Sequence, residues 1–177
     1  GTFKNIIDTA AANGVEPGLW MAPSFNCEYR DWREFAQIVL DFHRKYGFRM
    51  FKIDAVKIRT YEAEQNLRQL LELVRRETGG KVYFNLDTTN GQRPGYFHFL
   101  EYGNIFLENR YVCHEWGLGY HPEKTLRSLW QLSRFVRPQM LQIEIPSPED
   151  INHEFYKDKP WPYPECYPVE YWAAIAF

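Results

Sequence analysis

Nothing in this sequence approaches the roughly 20 consecutive apolar residues that a membrane-spanning helix requires. Its opening, Thr2-Phe3-Lys4-Asn5-Ile6-Ile7, reads as a helix start and lacks the apolar core of a secretory signal. Cysteine is scarce. Cys27, Cys113 and Cys166 are widely spaced with no C-x-x-C pair, so a complete disulfide framework is not expected and a zinc site would need other ligands. The five histidines (His43, His98, His114, His121 and His153) contain no H-E-x-x-H spacing, which argues against a zinc hydrolase. His114-Glu115 with His121 reads as polar loop surface. Cys113 beside His114 does not make a nucleophile pair, because adjacent strand residues point apart. Neither sign of charge dominates, with 21 Lys and Arg against 23 Asp and Glu. That balance gives no nucleic-acid footprint and no polybasic membrane patch. No G-x-G-x-x-G or Walker loop follows any expected strand, which removes the main cue for a nucleotide-binding sheet. The expectation is a soluble protein without a metal or organic cofactor; periplasmic, secreted and cytoplasmic locations all stay open.

What the chain does have is apolar bulk: 177 residues, 45% hydrophobic and 18% aromatic, enough for one sizeable core. Helical and strand patterns alternate along it. Residues 2–13 read as helix, and Gly18 to Pro23 as strand. Asp31 caps a helix with Phe35, Ile38, Val39 and Phe42 at helical spacing, ending at Gly47. A strand spans 50–56. A helix over about 61–77 carries Leu67, Leu70, Leu71 and Val74 and stops at Gly79-Gly80. Further strands cover Val82 to Asp87, Ile105 to Arg110 and Leu141 to Pro146, with a loop through Trp116–Gly119 and a helix at 122–136 between the last two. Ser147 to Pro168 is a proline- and aromatic-rich loop, a length that compact domains reserve for function. Strands alternating with amphipathic helices predict βαβ units and a parallel sheet. Between an open doubly wound sheet and a (β/α)8 TIM barrel, the barrel is preferred. A full barrel needs about 250 residues, and both termini read as interrupted elements, so the expectation is a partial barrel within a longer protein.

Charge within the strands is the strongest pointer to function. Side chains alternate faces along a strand, so Lys52 and Asp54 share a face while Phe51, Ile53 and Ala55 take the other. Asn85 and Asp87, Glu108 and Arg110, and Gln142 and Glu144 repeat the pattern on the following strands. Any one such pair could be a structural ion pair. Four in succession, at the strand ends where barrel active sites open, point to one polar cavity. Two carboxylates with a cation and amides suit glycosidic cleavage, in which one carboxylate stays ionised and the other is held protonated. Lys52 is expected beside Asp54, favouring its ionised form. Trp20, Tyr96, Trp116 and Tyr120 lie near strand ends, where they would either pack or stack on sugar faces.

These segments together resemble the melibiase-type α-galactosidases of glycoside hydrolase family 36 and their clan D relatives, over nearly the whole chain. Gly18-Leu19-Trp20-Met21-Ala22-Pro23 is similar to that family's third barrel strand, Gly-Leu-Trp followed by Glu-Pro. Phe51-Lys52-Ile53-Asp54 resembles its Lys-x-Asp nucleophile strand. Asn90-Gly91-Gln92-Arg93 stands where the family has a Gly-Gly-x-Arg substrate loop, and Leu107-Glu108-Asn109 where it has Ser-Asp-Asn. Val169 to Phe177 is similar to the helix before the eighth strand. The resemblance implies that the strands here are the third to seventh of the barrel. It implies a retaining hydrolase of terminal α-linked sugars on oligosaccharides, with Asp54 as nucleophile and Glu108 as acid/base about 5–5.5 Å away. Lys52 and Arg93 would be sugar contacts, and Trp20, Asp87, Arg110 and Glu144 further substrate-binding candidates. Asp87 and Glu144 are rival acids. The chain departs from the family in having Ala22 for the expected acid, Leu86-Asp87-Thr88-Thr89-Asn90-Gly91 for the Cys-x-Ser-Gly-Gly loop, and Glu108 for an aspartate. Two other readings stay open: a catalytically silent carbohydrate-binding barrel, motivated by the altered loop, and a Schiff-base lyase using Lys52.

Overall fold

Local chemistry accounts for the helices. The computed structural model describes residues 2–54, 56–87, 100–107, 110–113, 117–120 and 129–143. Helix α1 (Thr2–Ala12) ends at Asn13-Gly14, where Gly14 takes a left-handed turn at φ 68°. Helix α2 (Trp32–Tyr46) is closed by Gly47, whose φ of 78° lets its N–H reach the His43 carbonyl at 2.8 Å. Asp31 stands at the expected N-cap but makes no side-chain cap bond; its carboxylate instead accepts a long contact from the Cys27 thiol, 3.7 Å away. The buried residues of α2 are Trp32, Ala36, Val39 and Leu40. The expected stripe is therefore rotated, with Phe35 and Phe42 at its margin and Ile38 largely exposed. Helix α3 (Tyr61–Glu77) is capped by the Thr60 hydroxyl, which accepts from the Ala63 N–H at 3.1 Å. Its buried stripe holds Leu67, Leu70, Leu71 and Val74 as expected, with Ala63.

The chain divides into two compact units, Gly1–Phe106 and Leu107–Phe177. In the first, strands β1 (Leu19–Met21), β2 (Met50–Ile53), β3 (Tyr83–Asp87) and β4 (Gly103–Leu107) are hydrogen-bonded neighbours in chain order, every pair parallel. The α/β expectation with a parallel sheet therefore holds. Phe51, Ile53, Phe84 and Leu86 share one face and join the inward residues of α2 and α3 in a single apolar cluster. Phe3 and Ile7 of α1 pack against that cluster from its edge. Gly103 sits opposite Phe84, so close that a Cβ at 103 would overlap the Phe84 carbonyl.

Several strand boundaries differ from the sequence reading. β1 and β2 are shorter than expected, and a 3-10 turn at Phe25–Cys27 follows β1. The strand expected over 105–110 starts earlier, at Gly103, and ends at Leu107. Arg110 belongs to a different strand, β5 (Arg110–Cys113), in the second unit. β5 pairs antiparallel with β6 (Gly117–Tyr120), Arg110 opposite Tyr120, where a loop was expected. Arg110 thus lies in a ribbon ladder of the second unit, and its expected parity with Glu108 falls outside the described residues.

In the same unit, residues 129–132 are helical. The expected helix to 136 gives way to turns after Leu132, where the Ser133 hydroxyl donates to the Trp130 carbonyl at 3.0 Å. Arg137, preceding Pro138, is extended at ψ 131° as its position before proline requires. A 3-10 turn (Pro138–Met140) leads into β7 (Leu141–Ile143). The expected loop at 147–168 and the final helix lie outside the described residues.

Candidate active site

The register of the first unit aligns one polar row across four strands. Trp20 is opposite Lys52, Lys52 opposite Asn85, and Asn85 opposite Asn104. In-register neighbours of a parallel sheet point the same way, so these four side chains share the face that α2 and α3 do not cover. Asp87 occupies the next position along β3. Asp54 follows β2 directly, and its N–H donates to the Met21 carbonyl at 2.8 Å, closing the last rung of the β1–β2 ladder. The Lys52 parity thus carries through to Asp54. One step further, the Val56 N–H donates to the Asp87 carbonyl at 2.8 Å, so the chain after Asp54 runs beside the end of β3.

Within this group the ion pair is not the one the spacing suggests. Lys52 Nζ lies 3.1 Å from Asp87 Oδ2, on the neighbouring strand. Asp87 is only 2% exposed and Asn85 is also buried, whereas the Lys52 side chain keeps 27% of its surface. The ammonium also stands 5.9 Å from the Trp20 ring centroid, within reach of a cation–π attraction. Trp20 itself, in the middle of β1, is 70% exposed, a flat apolar plate beside Lys52. Asp54 is half-buried. Among the described residues, no side chain forms an ion pair or hydrogen bond with its carboxylate. The expectation that Lys52 pairs with Asp54 is corrected: the ammonium reaches diagonally across the ladder, past its register partner Asn85, to the buried Asp87 carboxylate.

Two loops that leave these strand ends are tied to each other. Glu28 and Tyr29, after β1, both adopt left-handed backbone at φ 57° and 55°, a costly geometry for residues other than glycine. It places the Tyr29 phenol in the core, where its oxygen donates to the Lys57 carbonyl at 2.9 Å and accepts from the Lys57 N–H at 2.8 Å. Burial pushes the Tyr29 phenol above its ordinary range, and the bond to Lys57 takes back part of that rise. The Glu28 carboxylate accepts from the Thr60 hydroxyl, and its carbonyl accepts from Asn66 Nδ2 at 2.8 Å. Arg30 grips Glu62 through two nitrogens, at 2.7 and 3.1 Å, and that bond holds the Glu62 carboxyl below its usual range. Lys57 is three residues past Asp54, so this clamp restrains the segment that carries Asp54 out of the sheet.

Of the residues picked from sequence, Trp20, Lys52, Asp54 and Asp87 come together here. Arg110 lies in β5. Arg93, Glu108 and Glu144 lie outside the described residues, as does the separation of Glu108 from Asp54. Asn104 was missed. The reading from sequence started β4 at Ile105, yet the alternation of Gly103, Ile105 and Leu107 against Asn104 already carries the signal. The chain matches no protein-family model, no curated protein and no solved structure. Among the described residues no helix is long and apolar enough to cross a membrane.

Proposed function

We propose that the protein is a retaining α-glycoside hydrolase, α-galactosidase-like, built on a (β/α)8 barrel. The observation that carries this is the sharing of one sheet face, at the C-terminal ends of three parallel strands, by Trp20, Lys52, Asp54 and Asp87. Barrel active sites occupy that end of the strands. Two features support the barrel. Strands β1 to β4 follow chain order, without the reversal that marks a doubly wound sheet. Among the described residues, α2 and α3 join the core on the apolar face of the sheet, while Lys52, Asn85 and Asn104 line the other.

In this reading Asp54 is the nucleophile. One of its oxygens forms a bond to the anomeric carbon as the glycosidic C–O bond breaks, and the leaving oxygen takes a proton from the acid/base, assigned to Glu108. Water then hydrolyses the glycosyl ester with Glu108 acting as base. Trp20 offers a stacking plate for a sugar ring, and Lys52 a cation for its hydroxyls. The Lys52 ion pair weighs against the lyase alternative, since an ammonium held by a buried carboxylate is a poor amine nucleophile.

Replacing Asp54 with Asn in the full-length protein tests the assignment. Hydrolysis of aryl α-glycosides falls by at least about 1,000-fold, as expected for loss of a covalent nucleophile, while circular dichroism stays that of the parent. Unchanged turnover removes Asp54 from the mechanism. Sugar binding without turnover in the parent protein marks a carbohydrate-binding barrel instead.

A further inference from the structure

Among the described residues, two carboxylates share the strand face of Lys52: Asp54 on its own chain segment and Asp87 across the ladder. Its ammonium sits on Asp87, at 3.1 Å. The choice has a physical cause. A carboxylate that is 2% exposed has lost nearly all its water and requires a charged or hydrogen-bonding partner. Half-buried Asp54 keeps enough hydration to stand without the ammonium. The result is a cation one strand away from Asp54 and a carboxylate at Asp54 with no side-chain partner among the described residues.

We propose that Asp87 is a positioning residue that holds the Lys52 ammonium off Asp54, keeping the Asp54 carboxylate available to attack. This rests on the reading of Asp54 as nucleophile. An ammonium bonded directly to the attacking oxygen would occupy the lone pair that must reach the anomeric carbon. That charge-assisted bond would then have to break in the transition state. Asp87 removes the competition by binding Lys52 more strongly in a drier position. Asp87 is in this scheme neither the acid nor a sugar contact; it acts through Lys52.

The test is Asp87→Asn in the full-length protein, read by crystal structure and kinetics together. Without the buried charge, Lys52 Nζ moves to within ion-pair distance of Asp54. The kcat for an aryl α-glycoside falls by about 10- to 100-fold, the equivalent of one charge-assisted hydrogen bond. Asp87→Glu keeps the charge, holds Lys52 at position 87 and retains kcat within about threefold of the parent. Lys52 remaining beside position 87 in Asp87→Asn overturns the proposal, and so does its relocation to Asp54 without loss of kcat. Where Asp87→Asn does not fold, Asp87→Glu decides: Lys52 found on Asp54 with undiminished kcat overturns the proposal. If the parent turns over no glycoside, the nucleophile reading fails by itself. The position of Lys52 in Asp87→Asn still reports whether Asp87 holds it, so the two failures are told apart.

Discussion

Tyr102, just ahead of β4, places its phenol against Glu101 and Glu72. Burial is the larger influence and the two carboxylates add to it, pushing the phenol from its ordinary 10.0 up to about 12. The folded value exceeds the unfolded one, so the stability tied to the neutral phenol is fully present below pH 10. It is lost as pH rises from about 10 to about 12, because the unfolded chain ionises first. Urea unfolding followed across that range shows the decline, and Tyr102→Phe flattens it relative to the parent. The site residues also belong to this scale. Lys52, Asp54, Asn85 and Asp87 were legible in the sequence because alternation within a strand is local. Which carboxylate Lys52 chooses was not legible, since it depends on the Lys52–Asn85 register and on the burial of Asp87, both set by neighbours far away in the chain.

At the scale of elements, the bounds of α1, α2 and α3 were legible almost to the residue, because their signals sit beside them: Asn13-Gly14 after α1, Gly47 after α2, and Gly79-Gly80 closing the turn beyond α3. The strands were less legible. Gly103 and Asn104 have low strand propensity and become strand because β3 offers them a ladder. The β5–β6 ribbon was hidden by Gly117 and Gly119, which read as loop. The clamp between the β1 and β2 loops was invisible too, since it joins Tyr29 to Lys57 across 28 positions through a left-handed backbone no propensity foresees. Its weight can be measured. Tyr29→Phe keeps the buried ring but withdraws the oxygen that serves both the N–H and the carbonyl of Lys57. The expected loss is about 1–3 kcal/mol, seen as a lower urea midpoint with an unchanged m-value.

For the molecule as a whole, the first unit depends on one apolar cluster in which α2 and α3 cover the sheet. Leu70 is fully buried in it. Leu70→Ala removes apolar volume from a place that cannot easily collapse between helix and sheet. The expected cost is about 2–5 kcal/mol, which lowers the melting temperature by roughly 5–20 °C in calorimetry. Mixed α/β class and parallel strands were legible at this scale from the alternation of periods 3.6 and 2. The chain-order pairing of β1 to β4 is set by long-range contacts that periodicity does not encode.

Gly103 bears on how such a chain can change over generations. Every other amino acid brings a Cβ, and at this position a Cβ meets the backbone of Phe84, which no rotamer change can move aside. Single-residue drift is therefore barred at 103. The site accepts a new residue only if β4 first shifts its pairing with β3, which would also move Asn104 out of line with Asn85. One missing methyl group thus ties the evolutionary fate of the β3–β4 pairing to that of the polar row beside it.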